Sequence, residues 1–256
     1  MDMLKKIVMS SNKIIPRPKY SLPHIDSSIL VLAPHYDDDI IGCGGTLYQY
    51  KRLEYEINIV FFTDGKRGTI RNTMDESISS IRYEEAREAL AILGIQQEHI
   101  YCIDLEDCNL QKSVEPGVEL LKKIIENVNP GLIFLPYMLD IHPDHRAVNY
   151  IMYQLLYEHS ELLLEKSRFV MYEVWTPLIP NLCINITMDM EKKLEALDQH
   201  KSQIEIMRYR ELVCSLNSYR ACLTNRDDIK YVEGFYHCEL KEYKELLEKQ
   251  MMEGGW

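Results

Sequence analysis

No apolar stretch in these 256 residues reaches the roughly 18 to 20 needed to cross a membrane. A membrane-spanning helix is therefore not expected. Met1 to Ile15 carries Lys5 and Lys6 but has no long apolar core and no small-residue cleavage site, so no signal peptide is read there. Cys-x-x-Cys pairs are missing. The seven cysteines are scattered and odd in number, which argues for free thiols in a reducing compartment rather than a disulfide frame or a four-thiolate zinc site. A cytoplasmic location is the expectation. Positive charge is in deficit: the formal net charge is −11, and no long basic run opposes it, so nucleic acid is not an expected partner. Repeats, low-complexity tracts and obvious linkers are absent as well. The length suits one large domain over residues 1–256, with a lead-in at 1–27, a core at 28–160 and an extended C-terminal part at 161–256. Composition leaves open whether the chain forms a homo-oligomer.

What is present is an alternation of strand-like and helix-like stretches. Met1 to Ser27 contains Pro16, Pro18 and Pro23 and shows no clear period. Ile29 to Ala33 is apolar and branched, as a buried strand is. Gly44 to Tyr55 reads as a helix, Ile57 to Phe62 as a second strand, and Thr63 to Gly68 as a loop. Ser77 to Leu93 is a helix that Gly94 stops. His99 to Ile103 is a short strand, Gly117 to Val128 a helix, Leu132 to Pro136 a fourth strand and Asp144 to His159 a helix. Repeated strand–helix units imply an α/β fold with a mostly parallel sheet flanked by helices. The remainder differs. Arg168 to Trp175, Asn181 to Thr187 and Tyr231 to Glu239 are strand-like. Met188 to Met207 reads as a helix broken near Ser202; Tyr209 to Leu223 and Leu240 to Met251 are also helical.

Two clusters interrupt this pattern. The first strand runs straight into His35, Asp37, Asp38 and Asp39, followed by Gly42-Cys-Gly-Gly45. The fourth runs into Asp140-Ile-His-Pro-Asp-His145. Carboxylates crowded at the end of a buried strand repel one another unless a cation compensates them. The bland reading is an acidic helix start in solvent, which the helix dipole favours. A second His/Asp cluster behind a second strand is hard to explain that way, because parallel strands gather their C-terminal ends at one edge, where ligands bind.

His35, Asp38 and His145 make two nitrogens and one carboxylate with a fourth position open, a catalytic zinc pattern. Zn2+ is the expected cofactor, with Fe2+ as another divalent ion that such a set accepts. Zinc lowers the pKa of its bound water toward neutrality. Asp37, adjacent to the ligand Asp38 but not needed for binding, is placed to act as general base. His142 lies on the other side of the metal as acid or oxyanion stabiliser. Asp144 orients that imidazole. Pro143 stiffens the loop.

His35-Tyr-Asp-Asp38, Gly42-Cys-Gly-Gly45 and His142-Pro-Asp-His145 together resemble the PIG-L/LmbE-like deacetylases. The resemblance runs from about Ile29 to Phe235. It implies a Rossmann-like fold and zinc-dependent removal of an N-acetyl group from a glucosamine-type sugar. It also implies the same assignments for His35, Asp37, Asp38, His142 and His145. Further pieces are similar: Thr63-Asp-Gly65; Arg82-x-x-Glu85, in which the family's Arg faces the substrate; Asp107, a substrate-side Asp; the segment Lys193 to Gln203; and Val232-Glu-Gly-Phe235. Two positions depart from the pattern. Tyr36 stands for the usual Pro, which implies a looser loop, and Asp39 stands for the usual Glu.

Other readings stand beside these. Arg82 can equally be an exposed ion pair with Glu85 and Glu88, and Asp107 a turn residue. His200 reads as surface or indirect support rather than ligand. His24, His99, His159 and His237 read as structural, and Cys43 as a small packing residue. The expected function is a hydrolase that removes an N-acetyl group from an amino sugar or its conjugate. Another acyl amide, such as a cysteine conjugate or a lipid-linked amine, is the alternative substrate. A nucleotide-binding module is disfavoured: the third glycine of the loop is missing, and three aspartates stand where a pyrophosphate needs donors.

Overall fold

The computed structural model describes residues 19–68, 76–162 and 167–252. The early part of the lead-in lies outside that range. Strands β1 (Ile29–Ala33), β2 (Ile57–Thr63), β3 (Ile100–Leu105), β4 (Leu132–Pro136), β5 (Arg168–Tyr172), β6 (Leu182–Asn185) and β7 (Val232–Glu239) form one sheet in the order β3-β2-β1-β4-β5-β7-β6. The strands from β1 to β5 pair in parallel; β7 runs antiparallel to both β5 and β6. The fold is the mostly parallel α/β sheet that the strand–helix alternation predicts.

β1 shows why the run reads as continuously apolar. Ile29, Val31 and Ala33 enter one hydrophobic core, and Leu30 and Leu32 enter another on the opposite face. Side chains alternate along a strand, and helices cover both faces, so every position is inside. All five residues have no exposed surface. Each buried Ile or Leu contributes about 1.5–3 kcal/mol relative to an exposed one. Helices α1 (Asp38–Arg52) and α2 (Glu76–Ile92) supply residues to the first core; α3 (Val114–Val128) and α4 (Pro143–Glu158) supply residues to the second.

The chain runs outward from β1 through β2 to β3, then returns to place β4 on the other side of β1. This is the topological switch point, where an open α/β sheet forms its crevice. The segments after β1 and after β4 therefore open side by side.

Two of the differences from the sequence reading bear on the site. α1 begins at Asp38, six residues before Gly44, so the aspartates lie in its cap and first turn. Asp and Gly are poor helix formers, which hides this turn from propensity. Packing overrides it: a Cβ on Gly42 would lie 2.2 Å from Tyr172 Cδ2, and one on Gly45 2.8 Å from Ile186 Cγ2. The second difference is the helix expected over Met188 to Met207. It divides into α5 (Met190–Leu197) and α6 (Lys201–Ile204), with the break at Asp198 to His200 rather than Ser202. Helices α7 (Tyr209–Cys222) and α8 (Leu240–Met252) flank β7. Lys19, within the lead-in, bridges to Leu182 of β6. Among the described residues, no helix is long and apolar enough to cross a membrane.

Candidate metal and catalytic centre

His35 is the second residue beyond β1, Asp37 stands at the N-cap position of α1 without a side-chain capping bond, and Asp38 and Asp39 begin the helix. His142 caps α4, and Asp144 and His145 lie in its first turn. The switch in strand order brings the two clusters together. Asp38 Oδ2 lies 3.0 Å from His35 Nδ1 and 3.2 Å from His145 Nε2. It also accepts the His35 backbone amide at 2.9 Å. The His142 ring stands 4.7 Å from that of His35 and 4.9 Å from that of His145, centroid to centroid.

This is not a solvated acidic turn. Asp37, Asp38 and Asp39 are 3%, 2% and 0% exposed. Burial penalises the charged Asp38, but His145 and His35 outweigh it and hold the carboxyl well below its ordinary range. Burial lowers both imidazoles, yet Asp38 and the other carboxylates around them raise them: His35 goes well above its ordinary value and His145 above it. Burial pushes Asp39 well up, with Asp38 and Asp37 adding to the shift. Burial, followed by His35 and His145, pushes His142 down to about 4.

The residues fit a divalent cation on a specific observation. The His145 ring is fully buried, yet neither of its nitrogens has a hydrogen-bond partner of good geometry, although carboxylate oxygens stand 3.2 and 3.5 Å away. A neutral imidazole has one N–H and one lone pair; with Asp140 beside Nδ1, the buried lone pair of Nε2 next to the Asp38 carboxylate is costly unless a cation takes it. Two donor sets surround this point. Ring nitrogens of His35, His142 and His145 come within 4.8 Å of one another. The Asp38 oxygen touches the two buried imidazoles more closely.

The remaining predicted residues gather around this centre. Arg82 is buried rather than exposed with Glu85 and Glu88. Its Nη1 donates to the Gly65 carbonyl at 3.0 Å, and its guanidinium stands 3.6 Å from Asp37 and 3.8 Å from Asp107. Asp107 Oδ1 lies 3.3 Å from His35 Nε2 and its Oδ2 accepts the Arg67 amide. The Asp144 carboxylate accepts the amides of Cys108 and Leu110 and approaches His35 Nε2 at 3.4 Å. It is the Asp144 backbone amide, not the carboxylate, that donates to His142 Nδ1. Tyr36 is buried against Phe61 and under Arg82, so its ring packs the loop where a proline would have stiffened it.

His200 is buried, not at the surface; burial pushes its pKa down to about 4, with Asp37 and Arg82 within its electrostatic reach. The neighbouring Ser202 donates twice to Glu85, and Gln203 donates to the Gly68 carbonyl. Cys43 is buried, its thiol on the Asp39 carbonyl. The sequence reading passed over Trp175 and Tyr209, which also line the cleft. A lone aromatic after a strand or at a helix start carries no signal. Asp140 was visible inside its cluster but had no assigned role.

Residues 30–156 match the family described as PIG-L, GlcNAc-PI de-N-acetylase. The chain is 27% identical over 188 residues to a diacetylchitobiose deacetylase of Thermococcus kodakarensis, covering 68% of this chain and 69% of the relative. It is 28% identical over 192 residues to a probable N-acetyl-alpha-D-glucosaminyl L-malate deacetylase 2 of Bacillus anthracis, covering 68% and 80%. Among solved structures, an N,N'-diacetylchitobiose deacetylase from Pyrococcus horikoshii with a bound inhibitor superposes with a TM-score of 0.70 at 27% identity, covering 83% of this chain and 84% of that one. The matched region includes both His/Asp clusters and the four strands around the switch point, so residues 30–156 carry a PIG-L family domain.

Proposed function

We propose that this protein is a metal-dependent N-deacetylase that removes the acetyl group from an amino sugar or amino-sugar conjugate. The observation that carries the reading is the single Asp38 oxygen lying against both His35 Nδ1 and His145 Nε2, at 3.0 and 3.2 Å. The names of the relatives support the activity and the substrate class. His35, Asp38 and His145 would hold the ion. They are preferred to a set with His142, whose Nδ1 already takes the Asp144 amide and whose ring is only partly buried. Two nitrogens and one oxygen suit zinc, with Fe2+ as the other candidate. Such an ion, when bound, supplies Lewis acidity toward the amide carbonyl and a more acidic water.

The chain's own residues do the rest. Asp37 Oδ2 is buried without a partner, while Oδ1 faces Arg82. Asp37 can take the proton of the attacking water and return it to the departing amine, so the proton count closes on one carboxylate. The Asp144 amide on Nδ1 makes Nε2 the proton-bearing nitrogen of a neutral His142. That N–H is suited to stabilising the tetrahedral oxygen as charge develops. Asp107 and Asp144, beside His35 Nε2, orient that ring and leave Nδ1 facing Asp38. Arg82, close to both Asp37 and Asp107, holds the two acids in register and borders the cleft where a sugar hydroxyl would bind.

The test is metal analysis of the purified protein together with a panel of N-acetyl amino sugars, their conjugates, N-acyl cysteine conjugates and lipid-linked amides, assayed for amine release. Stoichiometric metal and amine release from the sugar substrates are expected. A protein that binds no divalent ion and hydrolyses none of these with added zinc would refute the reading.

A further inference from the structure

Asp140 lies between β4 and α4, is 1% exposed, and has a carboxylate that three segments share. Its Oδ1 accepts the His142 amide at 2.9 Å and lies 3.5 Å from His145 Nδ1. Its Oδ2 accepts the amides of Trp175 at 3.0 Å and Thr176 at 3.1 Å. The contact is returned: the Ile141 amide donates to Thr176 Oγ1 at 2.9 Å. Arg146 Nη1 holds the Asp140 carbonyl at 2.8 Å. One buried side chain thus joins the loop before α4 to the loop after β5.

We infer that Asp140 is a positioning residue that couples the His145 imidazole to the Trp175 wall of the cleft. The inference rests on the reading of His145 as a metal ligand. An imidazole that turns one nitrogen to a metal directs the other at an acceptor. That acceptor fixes the tautomer and ring rotation and makes the ring a better ligand. Asp140 Oδ1 is the carboxylate oxygen beside His145 Nδ1. The same carboxylate holds two consecutive amides of the Trp175 segment through Oδ2. The backbone that carries the indole and the His145 ring therefore border the same carboxylate, and a shift of that carboxylate with His145 reaches the aromatic wall through the two backbone hydrogen bonds at Trp175 and Thr176. Trp175 lines the cleft, and its ring lies 6.1 Å from that of Tyr209. This pair forms the apolar surface on which a sugar face can rest. Metal loading and sugar binding are linked through Asp140.

The chain has two tryptophans, so a Trp256→Phe parent leaves Trp175 as the only one. The parent and its Asp140→Asn derivative are titrated with zinc, and three quantities are read: zinc affinity by chelator competition, Trp175 emission, and KM and kcat at saturating zinc. The side-chain amide presents N–H groups either to the His142 amide or to the Trp175 and Thr176 amides, where an acceptor is needed. The expected result is zinc binding weaker by about 10- to 100-fold, loss of the zinc-dependent change in Trp175 emission, and a raised KM. Zinc affinity and emission response equal to those of the parent overturn the inference. If Asp140→Asn does not fold, the parent decides alone: Trp175 emission unchanged by stoichiometric zinc overturns the coupling. A parent that binds no zinc removes the metal reading of the site as well, which separates that failure from this one.

Discussion

Lys193 and Glu233 form an ion pair with Nζ 2.6 Å from Oε1 and neither side chain exposed. Lys193 comes from α5 and Glu233 from β7, and both grip α1. Lys193 Nζ donates to the Ile41 carbonyl at 2.8 Å, and Glu233 accepts the amides of Gly45 and Thr46. The C-terminal part thus holds the helix whose first turn carries Asp38. Replacing one partner leaves the other charge buried and unpaired, which costs about 3–5 kcal/mol. Glu233→Gln and Lys193→Met should each lose about that much in urea unfolding at pH 7. The double variant should lose less than the sum of the two.

Asp37 borders the proposed metal ligands without being one, so its loss and that of the ligand His145 should separate chemistry from metal binding. Asp37→Asn should retain the divalent ion and fall in kcat by about 100- to 10,000-fold. His145→Ala should lose both metal and activity. Metal analysis beside single-turnover assays checks this. An Asp37→Asn protein with full activity removes Asp37 from the proposed chemistry.

Gly42 faces the Tyr172 ring, whose hydroxyl donates to the Leu32 carbonyl at 2.8 Å. A methyl group at Gly42 would meet Cδ2 of that ring at 2.2 Å. Gly42→Ala should therefore destabilise the fold by about 1–3 kcal/mol through overpacking. Thermal melting gives the size, and Gly42→Ala with Tyr172→Leu should recover part of the loss. No recovery would mean that the ring is not the obstacle.

His237 offers a pH test away from the centre. Burial, with Arg168 and Lys19 adding to it, pushes its pKa down to about 4. The unfolded chain takes up that proton near pH 6.5 and the folded one only near 4. Between these values the unfolded state holds more protons, so stability contributed by neutral His237 is full above about pH 6.5 and is lost as pH falls toward 4. His237→Gln should flatten the decline in urea stability from pH 7 to pH 4.5 relative to the parent. An unchanged slope would show that His237 titrates normally.

Much of this was readable before folding. β1 and β4 are apolar at every position because both sheet faces are covered, and the alternation of strands and helices announces a parallel sheet. The two His/Asp clusters stand at strand ends, so their convergence follows from the fold class. The start of α1 was hidden because Asp and Gly favour turns, and only the contact with Tyr172 and Ile186 explains why small residues are needed there. Arg82 could be read equally as a surface ion pair, since a helix register alone does not say which face is covered. Trp175 and Tyr209 enter the cleft from segments far along the chain, with no local pattern to mark them.

By itself the sequence determined the α/β class, the family and the residue types that can hold a cation, because these follow from local periodicity and from motifs of fixed spacing. Only the tertiary structure decided which acceptor serves which imidazole. Asp107 and Asp144 came to His35, and Glu233 to the helix that carries Asp38, through contacts between distant segments, while the turn into α4 set Asp140 beside His145. Direction and distance between side chains are set by packing in three dimensions, and no one-dimensional spacing contains them.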